Sequence, residues 1–336
     1  MPRIALNGLG RIGKLLLRHL ASRSAFDDVV LLNDACGDAA LHAHLLEFDT
    51  VHGRWDADIE HVGDELVIAG HPLPLCHESS IAALSLGDRG IDLVVDCTGA
   101  FRTAESLQPY FDAGVKRVIV SAPVESAGAV NLVYGINQDA YDPAAHRIVT
   151  AASCTTNCLA PIVQVLHEGI GIRHGSMTTI HDVTNTQTIV DRPASDFRRA
   201  RSALNSLIPT TTGSATAITR IFPELEGRLN GHAVRVPLLN ASLTDCVFEM
   251  SRATTVDEVN RLFETAANGR LHGILGYETR PLVSADYVND SRSGIVDAAS
   301  TMVIAGTQVK VYVWYDNEWG YTCRLGDVMR FVAATL

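Results

Sequence analysis

The stretch "RIALNGLGRIGKLLLRHLA", residues 3–21, carries the strongest structural signal in the first half of the chain. It begins as a short apolar strand, turns at glycines and continues in a helical pattern from Ile12 onward. Gly8, Gly10 and Gly13 form the pattern G-x-G-x-x-G at this turn. Such glycines permit a tight turn, close approach of a pyrophosphate and close packing of helix on strand, and the helix N-terminus faces the anion.

A carboxylate follows at the spacing that a dinucleotide site requires. Asp34 closes the next predicted strand, "DVVLLND", about 20 residues beyond Gly13, where it can bind the hydroxyls of a ribose. Glycine turns between a strand and a helix are common, so the glycines alone are a weak signal. Their context, the spacing and the acid together favour a dinucleotide site over a purely structural turn.

The pattern of elements divides the chain near residue 150. Up to that point strands and helices alternate, with continuous apolar strands in "IDLVVDCTGAF" and "KRVIVSAP" and a helix in "SLQPYFDAGV". The segments "HVGDELVIAG" and "PLPLC" are short strands that can form a side hairpin. This alternation predicts an α/β domain of the Rossmann class, with a doubly wound and mostly parallel sheet.

The second half of the chain has a different organisation. A long helix is predicted in "NCLAPIVQVLHEGIG", followed by longer strands in "HGSMTTIHDVT", "GHAVRVPL", "LTDCVFEMS" and "TQVKVYVWYD". A polar segment, residues 184–205, separates the first two of these strands. The pattern predicts an α+β domain with a mixed or antiparallel sheet, and a final amphipathic helix that can pack back on the first domain.

The composition excludes several classes of function. With 336 residues, of which 47% are hydrophobic and 19% charged, the chain is long enough for two globular domains. The formal net charge of -11 argues against a general binder of nucleic acid or anionic membranes. We find no secretory signal and no apolar run of membrane-spanning length. Seven cysteines, an odd number, fit a reducing compartment rather than a disulfide framework, so the expected location is the cytoplasm.

The stretch "ASCTTNCLAPI", residues 152–162, sets Cys154 among small hydroxyl residues at the start of the predicted helix. A zinc site is not supported, because neither C-x-x-C nor H-E-x-x-H occurs. The main alternative is a buried inert thiol, since free cysteines often act as small hydrophobic residues. The helix start favours a thiolate at Cys154, whereas Cys158 lies one turn deeper in an apolar helix and is interpreted as inert.

A nucleophilic cysteine needs a base, and His181 in "MTTIHDVTNTQ" is the best candidate because it lies on a predicted buried strand. Three polar clusters suggest anion sites: "TNTQT" (184–188), "DFRRAR" (196–201) and "PTTTGSA" (209–215). A solvated charged face is the alternative interpretation of "DFRRAR". Arg235 stands inside the strand "GHAVRVPL", where its guanidinium needs an acidic partner or an anionic ligand.

The chain resembles the phosphorylating glyceraldehyde-3-phosphate dehydrogenase family in motifs that occur in the same order: "NGLGRIG", "ASCTTNCLAP", "TTTGSA", "AVRVP" and "WYDNEWGY". The resemblance covers essentially the whole chain and implies a homotetramer that uses NAD. It implies a Rossmann NAD-binding domain at residues 1–153 and a catalytic domain at residues 154–317. Residues 318–336 would form a C-terminal helix that returns to the NAD-binding domain.

The resemblance also implies roles for individual residues. Cys154 matches the family's nucleophile, and His181 matches the base that activates it. The substrate's own phosphate would be bound by Thr184, Thr186 and Arg235, and the attacking inorganic anion by Ser153, Thr155, Arg199, Thr212 and Gly213. The matching cofactor contacts are Gly8, Gly10, Arg11, Ile12, Gly13, Asp34, Thr98, Ser121, Asn317 and Tyr321. Among these, Asn317 would orient the nicotinamide carboxamide, with Tyr321 beside it.

The implied reaction proceeds through a thioester. The Cys154 thiolate would add to the aldehyde of glyceraldehyde 3-phosphate, and His181 would take the hydroxyl proton while hydride passes to NAD. Inorganic phosphate would then attack the thioester and release an acyl phosphate. No metal is implied.

Some positions depart from the family pattern. Asp182 and Val183 follow the histidine where the family usually has a small residue and then an aromatic one. In a strand, Asp182 should point away from the face that carries His181, so we expect it to support the site through another residue or to lie at an interface. Arg192 stands where an apolar residue usually lines the adenosine pocket, and Ser79 replaces an arginine often found near the cofactor.

Two stretches, "HGSMTTIHD" and "LLEFDTVHGRW", resemble a branch of the family associated with bacterial arsenic-resistance operons. In that branch the attacking anion would be arsenate and the product 1-arseno-3-phosphoglycerate. Phosphate and arsenate are both tetrahedral and similarly charged, so the sequence leaves both open.

Two other functions remain open from the sequence. Erythrose-4-phosphate dehydrogenase has the same fold and a hydrolysed thioester, and it resembles this chain around "AHLLEFDT". That family typically lacks the Thr-Gly pair of the anion site, which this chain keeps as Thr212 and Gly213. A non-catalytic NAD-binding regulatory protein is the second alternative, against which the intact Cys154 and His181 argue.

Overall fold

The computed structural model describes residues 2–21 and 26–336. These form two compact units: the chain up to Ser153 together with Thr322–Leu336, and Cys154–Tyr321. Among the described residues the helices are α1 (Arg11–Ala21), α2 (Ala39–Glu47), α3 (Ala104–Asp112), α4 (Cys154–Gly169), α5 (Ser214–Ile221), α6 (Val256–Asn268) and α7 (Trp319–Ala333).

The strands of the first unit are β1 (Ile4–Asn7), β2 (Val29–Asn33), β3 (Ile59–Val62), β4 (Glu65–Ile68), β5 (His71–Cys76), β6 (Leu93–Asp96), β7 (Arg117–Val120), β8 (Ala129–Asn131) and β9 (Ile148–Thr150). Those of the second unit are β10 (Ile172–His181), β11 (Ile208–Thr211), β12 (Leu229–Arg235), β13 (Ser242–Met250), β14 (Leu275–Glu278), β15 (Gly294–Ile304) and β16 (Gln308–Tyr315).

The first unit contains the predicted doubly wound sheet. Its described strands follow the order β3-β4-β5-β2-β1-β6-β7-β9-β8, and β2, β1, β6, β7 and β9 run parallel. β3, β4 and β5 pair antiparallel, and β5 lies parallel to β2, so the predicted side hairpin extends the main sheet. β1 and β6 are buried throughout, as continuous apolar strands in a parallel sheet should be. The predicted α/β class is confirmed.

The carboxyl ends of β1, β2 and β6 meet at one edge of this sheet. Asn7 is in register with both Asn33 and Asp96. Buried hydrogen bonds join these ends: Tyr110 Oη donates to Asp96 Oδ2 (2.7 Å), Asn7 Nδ2 to Tyr110 Oη (2.5 Å) and Asn33 Nδ2 to Asn7 Oδ1 (2.7 Å). The residues that follow the three strands, Gly8 and Asp34 among them, therefore project from a fixed edge.

The second unit contains a mixed sheet, as predicted. Its described strands follow the order β11-β12-β10-β13-β16-β15-β14. β10 runs parallel to β12 and antiparallel to β13, with His181 opposite Arg235. The sheet also contains β11, β14 and β15, and the unit contains α5 and α6; none of these was predicted from the sequence.

The C-terminal helix contributes to the first unit from Thr322 onward. The ring of Phe331 lies edge-on to that of Tyr141 with their centroids 5.7 Å apart, and Thr335 Oγ1 lies 3.2 Å from Tyr141 Oη. Cys323 is buried with its sulfur 3.5 Å from His19 Nδ1. The separate functions expected of the two units stay a prediction.

Candidate active site

Cys154 and His181 are brought together by the second unit. Cys154 is the first residue of α4, and His181 is the last residue of β10. Cys154 Sγ lies 3.6 Å from His181 Nε2, within hydrogen-bonding distance for sulfur. The histidine is only 4% exposed. The helix start contributes a positive potential at the sulfur, which favours its ionised form.

The charges at this pair differ from those of free side chains. Burial opposes the charged imidazole, but contacts with Asp182 and Cys154 outweigh it and raise the pKa of His181 to about 9. Burial also opposes a thiolate, but the hydrogen bond from His181 and its charge outweigh that effect and lower the pKa of Cys154. The pair therefore favours an imidazolium and a thiolate, which is the state of a nucleophilic cysteine.

Asp182 is not where the sequence predicted it. We expected its side chain to point away from the face of His181, yet Asp182 Oδ1 lies 2.5 Å from His181 Nδ1. The prediction was wrong because side chains alternate only within a strand, and β10 ends at His181. Asp182 is 1% exposed, so its charge lies inside the site.

Tyr315, which the sequence analysis missed, forms part of the floor of the site. Its hydroxyl lies 3.0 Å from Thr155 Oγ1 and 2.7 Å from Thr179 Oγ1, and its ring packs edge-on to His181 with the centroids 6.1 Å apart. Thr155, expected at the attacking anion, is buried with its hydroxyl on Tyr315. Tyr315 lies in "WYDNEWGY", a motif whose presence was noted but whose tyrosine was not assigned.

Two of the residues expected at the substrate phosphate, Thr184 and Thr186, form a polar group with Gln187 after the end of β10, whereas Arg235 contacts His181 and Asp182. Thr184 Oγ1 and Thr186 Oγ1 lie 2.9 Å apart, and both hydroxyls reach the amide oxygen of Gln187, at 3.0 and 3.3 Å. Arg235 Nη1 donates to the Asp182 carbonyl (3.0 Å). In the described part of the chain Arg235 Nε is buried without a hydrogen-bond partner, as expected of a guanidinium that awaits an anion.

Three of the residues expected at the attacking anion, Arg199, Thr212 and Gly213, belong to the segment that leads into α5, whereas Ser153 and Thr155 lie at the start of α4. Arg199 donates through Nε and Nη2 to Thr210 Oγ1, at 3.2 and 2.9 Å. Thr212 Oγ1 accepts from Ser214 N (3.2 Å), and Gly213 caps the helix. An added Cβ at Gly213 would meet no atom within 4 Å, so there is open space beside the N-terminus of α5, where an anion is favoured. Ser153, assigned to the same anion, immediately precedes Cys154 and is the last residue of the first segment of the first unit.

The glycine turn of the first unit fits a dinucleotide. A Cβ on Gly8 would lie 2.6 Å from Cys97 C, and one on Gly13 would overlap the Gly8 carbonyl oxygen, so the turn and the helix pack too closely for a side chain. Beside Gly10 there is open space, which a pyrophosphate requires. Arg11 and Ile12 begin the first turn of α1, and the first amide groups of a helix have no partner within the helix, so they can bind an anion.

Asp34 lies beside the same turn. Its Oδ2 accepts from Leu9 N (2.7 Å) and its Oδ1 from Cys36 N (2.9 Å). Each oxygen keeps lone pairs for ribose hydroxyls, so the carboxylate fits the predicted role. Arg11 forms an ion pair with Asp49. That pairing and backbone hydrogen bonds outweigh burial and lower the pKa of Asp49 to about 2.

Other expected cofactor contacts lie in both units. Thr98 N and Oγ1 both donate to Asp96 Oδ1, at 3.0 and 2.7 Å, and Ser121 N donates to the Asp96 carbonyl (2.9 Å). In the second unit Asn317 Nδ2 donates to Asp182 Oδ2 (2.8 Å), and Asn317 Oδ1 accepts from Ser242 Oγ (2.9 Å). Tyr321 is buried in α7.

Comparisons with known proteins agree with the motifs. Residues 2–104 match the glyceraldehyde 3-phosphate dehydrogenase NAD binding domain, and residues 153–317 match the C-terminal domain of the same family. The chain belongs to the glyceraldehyde-3-phosphate dehydrogenase family. The predicted membership of this NAD-dependent oxidoreductase family is therefore confirmed, and the fit of the glycine turn agrees with NAD as the family's cofactor.

Relatives in the glyceraldehyde-3-phosphate dehydrogenase family align over nearly their full length. The chain is 56% identical to glyceraldehyde-3-phosphate dehydrogenase 3 of a Nostoc species, over 99% of each chain. It is 47% identical to glyceraldehyde-3-phosphate dehydrogenase of Geobacillus stearothermophilus, over 99% of this chain and 98% of the relative. In the described residues, no helix is long and apolar enough to cross a membrane. The same residues contain no cluster of acidic, histidine and cysteine side chains that could hold a metal ion.

Proposed function

We propose that this chain oxidises glyceraldehyde 3-phosphate with NAD through a thioester on Cys154, and that an inorganic anion then releases the acyl group. The observation that carries the proposal is the Cys154–His181 pair, with 3.6 Å between sulfur and Nε2 in a largely buried site. We assign NAD binding to residues 1–153, catalysis to residues 154–317, and the C-terminal helix, residues 318–336, to the NAD-binding domain.

The chain's residues supply nucleophile and base. The Cys154 thiolate adds to the aldehyde carbon, and the His181 imidazolium gives its proton to the oxygen that becomes negative. The neutral imidazole then removes that proton as hydride leaves the same carbon, which gives a thioester and restores the imidazolium. NAD, when bound, supplies the hydride acceptor. Attack of the anion on the thioester releases an acyl phosphate and returns Cys154 as thiolate.

Two anion sites follow from this chemistry, because the substrate carries one phosphate and the second reactant is another anion. We assign the substrate phosphate to Thr184, Thr186 and Arg235, which is supported by the unpartnered Nε of Arg235. We assign the attacking anion to Ser153, Thr155, Arg199, Thr212 and Gly213, which is supported by the open space beside the N-terminus of α5.

We further propose that arsenate serves as the attacking anion at least as well as phosphate. The support is the resemblance of "HGSMTTIHD" and "LLEFDTVHGRW" to the arsenic-resistance branch. Initial rates of NADH formation with each anion at matched concentration test this. A rate with phosphate that clearly exceeds the rate with arsenate would contradict it.

The proposed assembly is a homotetramer located in the cytoplasm. The segment after β10 exposes large apolar side chains, including Phe197 (90% exposed), Val190 (71%) and Leu207 (70%), which a neighbouring subunit would cover. Light scattering of the purified protein should give the mass of four chains. A monomeric mass at micromolar concentration would contradict the proposed assembly.

The proposed reaction is tested by NADH absorbance with glyceraldehyde 3-phosphate, NAD and phosphate. Activity should depend on all three and vanish in Cys154→Ser. If erythrose 4-phosphate is oxidised at a rate that does not depend on phosphate or arsenate, the result would favour erythrose-4-phosphate dehydrogenase. No NADH with either aldehyde, despite NAD binding, would favour the non-catalytic alternative.

A further inference from the structure

Three groups surround the buried carboxylate of Asp182. His181 Nδ1 lies 2.5 Å from Oδ1, Asn317 Nδ2 donates to Oδ2 at 2.8 Å, and Ser242 Oγ lies 3.2 Å from Oδ1. These groups come from the end of β10, the turn after β16 and the start of β13. An ionised carboxylate only accepts hydrogen bonds. His181 Nδ1 and Asn317 Nδ2 can each donate one, whereas the single proton of the Ser242 hydroxyl is shared between Asp182 Oδ1 and the nearer Asn317 Oδ1 (2.9 Å).

The surroundings of His181 suit an imidazole that is protonated on both nitrogens. Nε2 faces Cys154 Sγ at 3.6 Å, and Nδ1 faces Asp182 Oδ1 at 2.5 Å. Arg235 Nη1 lies 2.6 Å from Nδ1 and 3.0 Å from the Asp182 carbonyl oxygen, and Nδ1 lies 3.0 Å from the same carbonyl oxygen, so the carboxylate is the nearer of the two acceptors for a proton on Nδ1. The N–H group at Nδ1 can therefore donate to the Asp182 carboxylate, and the N–H group at Nε2 can donate to the Cys154 sulfur.

The charged and titratable groups that face His181 belong to several different elements that pack against this residue. Cys154 comes from α4, Arg235 from β12 and Tyr315 from β16, while Asp182 directly follows the histidine. Arg235 opposes an imidazolium, as burial does, whereas Asp182 and the Cys154 thiolate favour it. Because Asp182 contacts the imidazole rather than the sulfur, its negative charge stabilises the state in which the proton is on His181 and Cys154 is a thiolate.

We infer that Asp182 is a positioning residue, whose carboxylate binds Nδ1 of His181 and holds the imidazolium with Nε2 toward the Cys154 thiolate. The inference rests on the proposed function. Asp182 does not touch the reacting atoms; it acts through the histidine. Without it, the imidazolium would lose its proton at lower pH.

The test is the pH profile of alkylation of Cys154 by iodoacetamide in substrate-free protein, read by peptide mass spectrometry. The rate should change in two steps, the lower one where the thiolate forms and the upper one where the imidazolium beside it loses its proton. The variant His181→Asn has no imidazolium, so its profile should lack the upper step, and this assigns the upper step to His181. In the wild type we expect the upper midpoint near pH 9.

Asp182→Asn keeps the size of the side chain and removes its charge. The upper midpoint should then fall by about one pH unit or more, because one unit corresponds to ~1.4 kcal/mol and removing one partner of a buried ion pair costs more than that. Asp245→Asn is the matched control. It removes a carboxylate that pairs with Lys310 (2.5 Å) on the same sheet, and it should leave the midpoint unchanged. An unchanged midpoint in Asp182→Asn would overturn the inference.

If Asp182→Asn does not fold, the upper midpoint of the wild-type profile still tests the inference. An upper midpoint close to the ~6.5 of free imidazole would overturn the inference. Because alkylation uses no substrate, this test is independent of the proposed reaction: a protein that fails to oxidise glyceraldehyde 3-phosphate can still show both steps. Conversely, Asp182→Asn with reduced turnover and an unmoved midpoint would refute the positioning role and leave the reaction standing.

Discussion

Replacing His181 by Asn removes both the base and the positive partner of Cys154. The rise in the pKa of His181 from the ~6.5 of free imidazole to about 9 corresponds to about 3 kcal/mol in favour of the imidazolium. Part of this stabilisation comes from the hydrogen bond with Cys154. The substitution removes that contribution, so the thiol should become much less acidic.

The size of the effect follows from two separate losses. An ordinary thiol with a pKa of ~8.5 is only about 3% ionised at pH 7, so alkylation of Cys154 should slow by roughly 30-fold or more. Turnover should fall by ~10²–10⁴-fold, because a positioned general base contributes that much. As the pH rises the variant's thiol becomes more ionised, so its alkylation should speed up with pH while its turnover should not recover.

Alkylation rates and initial rates of NADH formation, both measured at neutral and alkaline pH, check this prediction. Circular dichroism of the variant controls for folding. A variant whose Cys154 alkylates at the wild-type rate at pH 7, or whose turnover falls by less than about tenfold, would refute the reasoning from the ion pair.

Other consequences concern the thiols, the cofactor and the glycine turn. Peptide mapping after brief iodoacetamide treatment should find Cys154 labelled far ahead of Cys158, because burial raises the pKa of the Cys158 thiol; equal labelling would contradict this. kcat/KM should be higher with NAD than with NADP, since Asp34 would repel a 2′-phosphate. If the Arg192 guanidinium reaches the adenosine pocket, Arg192→Leu should increase the preference for NAD over NADP. A wild type with the higher kcat/KM for NADP would contradict the role given to Asp34. Gly13→Ala should destabilise the protein by about 1–3 kcal/mol in urea unfolding and weaken NAD binding in calorimetry, because its methyl group would overlap the Gly8 carbonyl.

Much of the first unit could be predicted because its signals are local. A strand, a glycine turn and a helix are adjacent in "RIALNGLGRIG", and the acid that ends the next strand follows at a fixed spacing. The start of α4 at Cys154 was likewise visible, since an apolar helical pattern begins there. α6 was missed although Thr255 caps it and accepts from Glu258 N, a start signal that was present in the sequence.

The geometry of the site depends on contacts between distant parts of the chain, which local patterns do not encode. The pairing of Tyr315 with Thr155 joins residues 160 positions apart, and His181 lies opposite Arg235 only because β10 and β12 pair in that register. Asp182 was predicted to point outward because the rule of alternation was extended one residue past the end of β10. The error arose where a strand ends and the chain turns into the site.

The most direct test of the proposed reaction is intact-protein and peptide mass spectrometry of the enzyme after it is mixed with glyceraldehyde 3-phosphate and NAD in phosphate-free and arsenate-free buffer. The proposed mechanism predicts one acyl group per chain, a 3-phosphoglyceryl thioester on Cys154, formed together with one NADH and lost when phosphate or arsenate is added. NADH produced in repeated turnovers without any modified Cys154, or an acyl group on another residue, would contradict it.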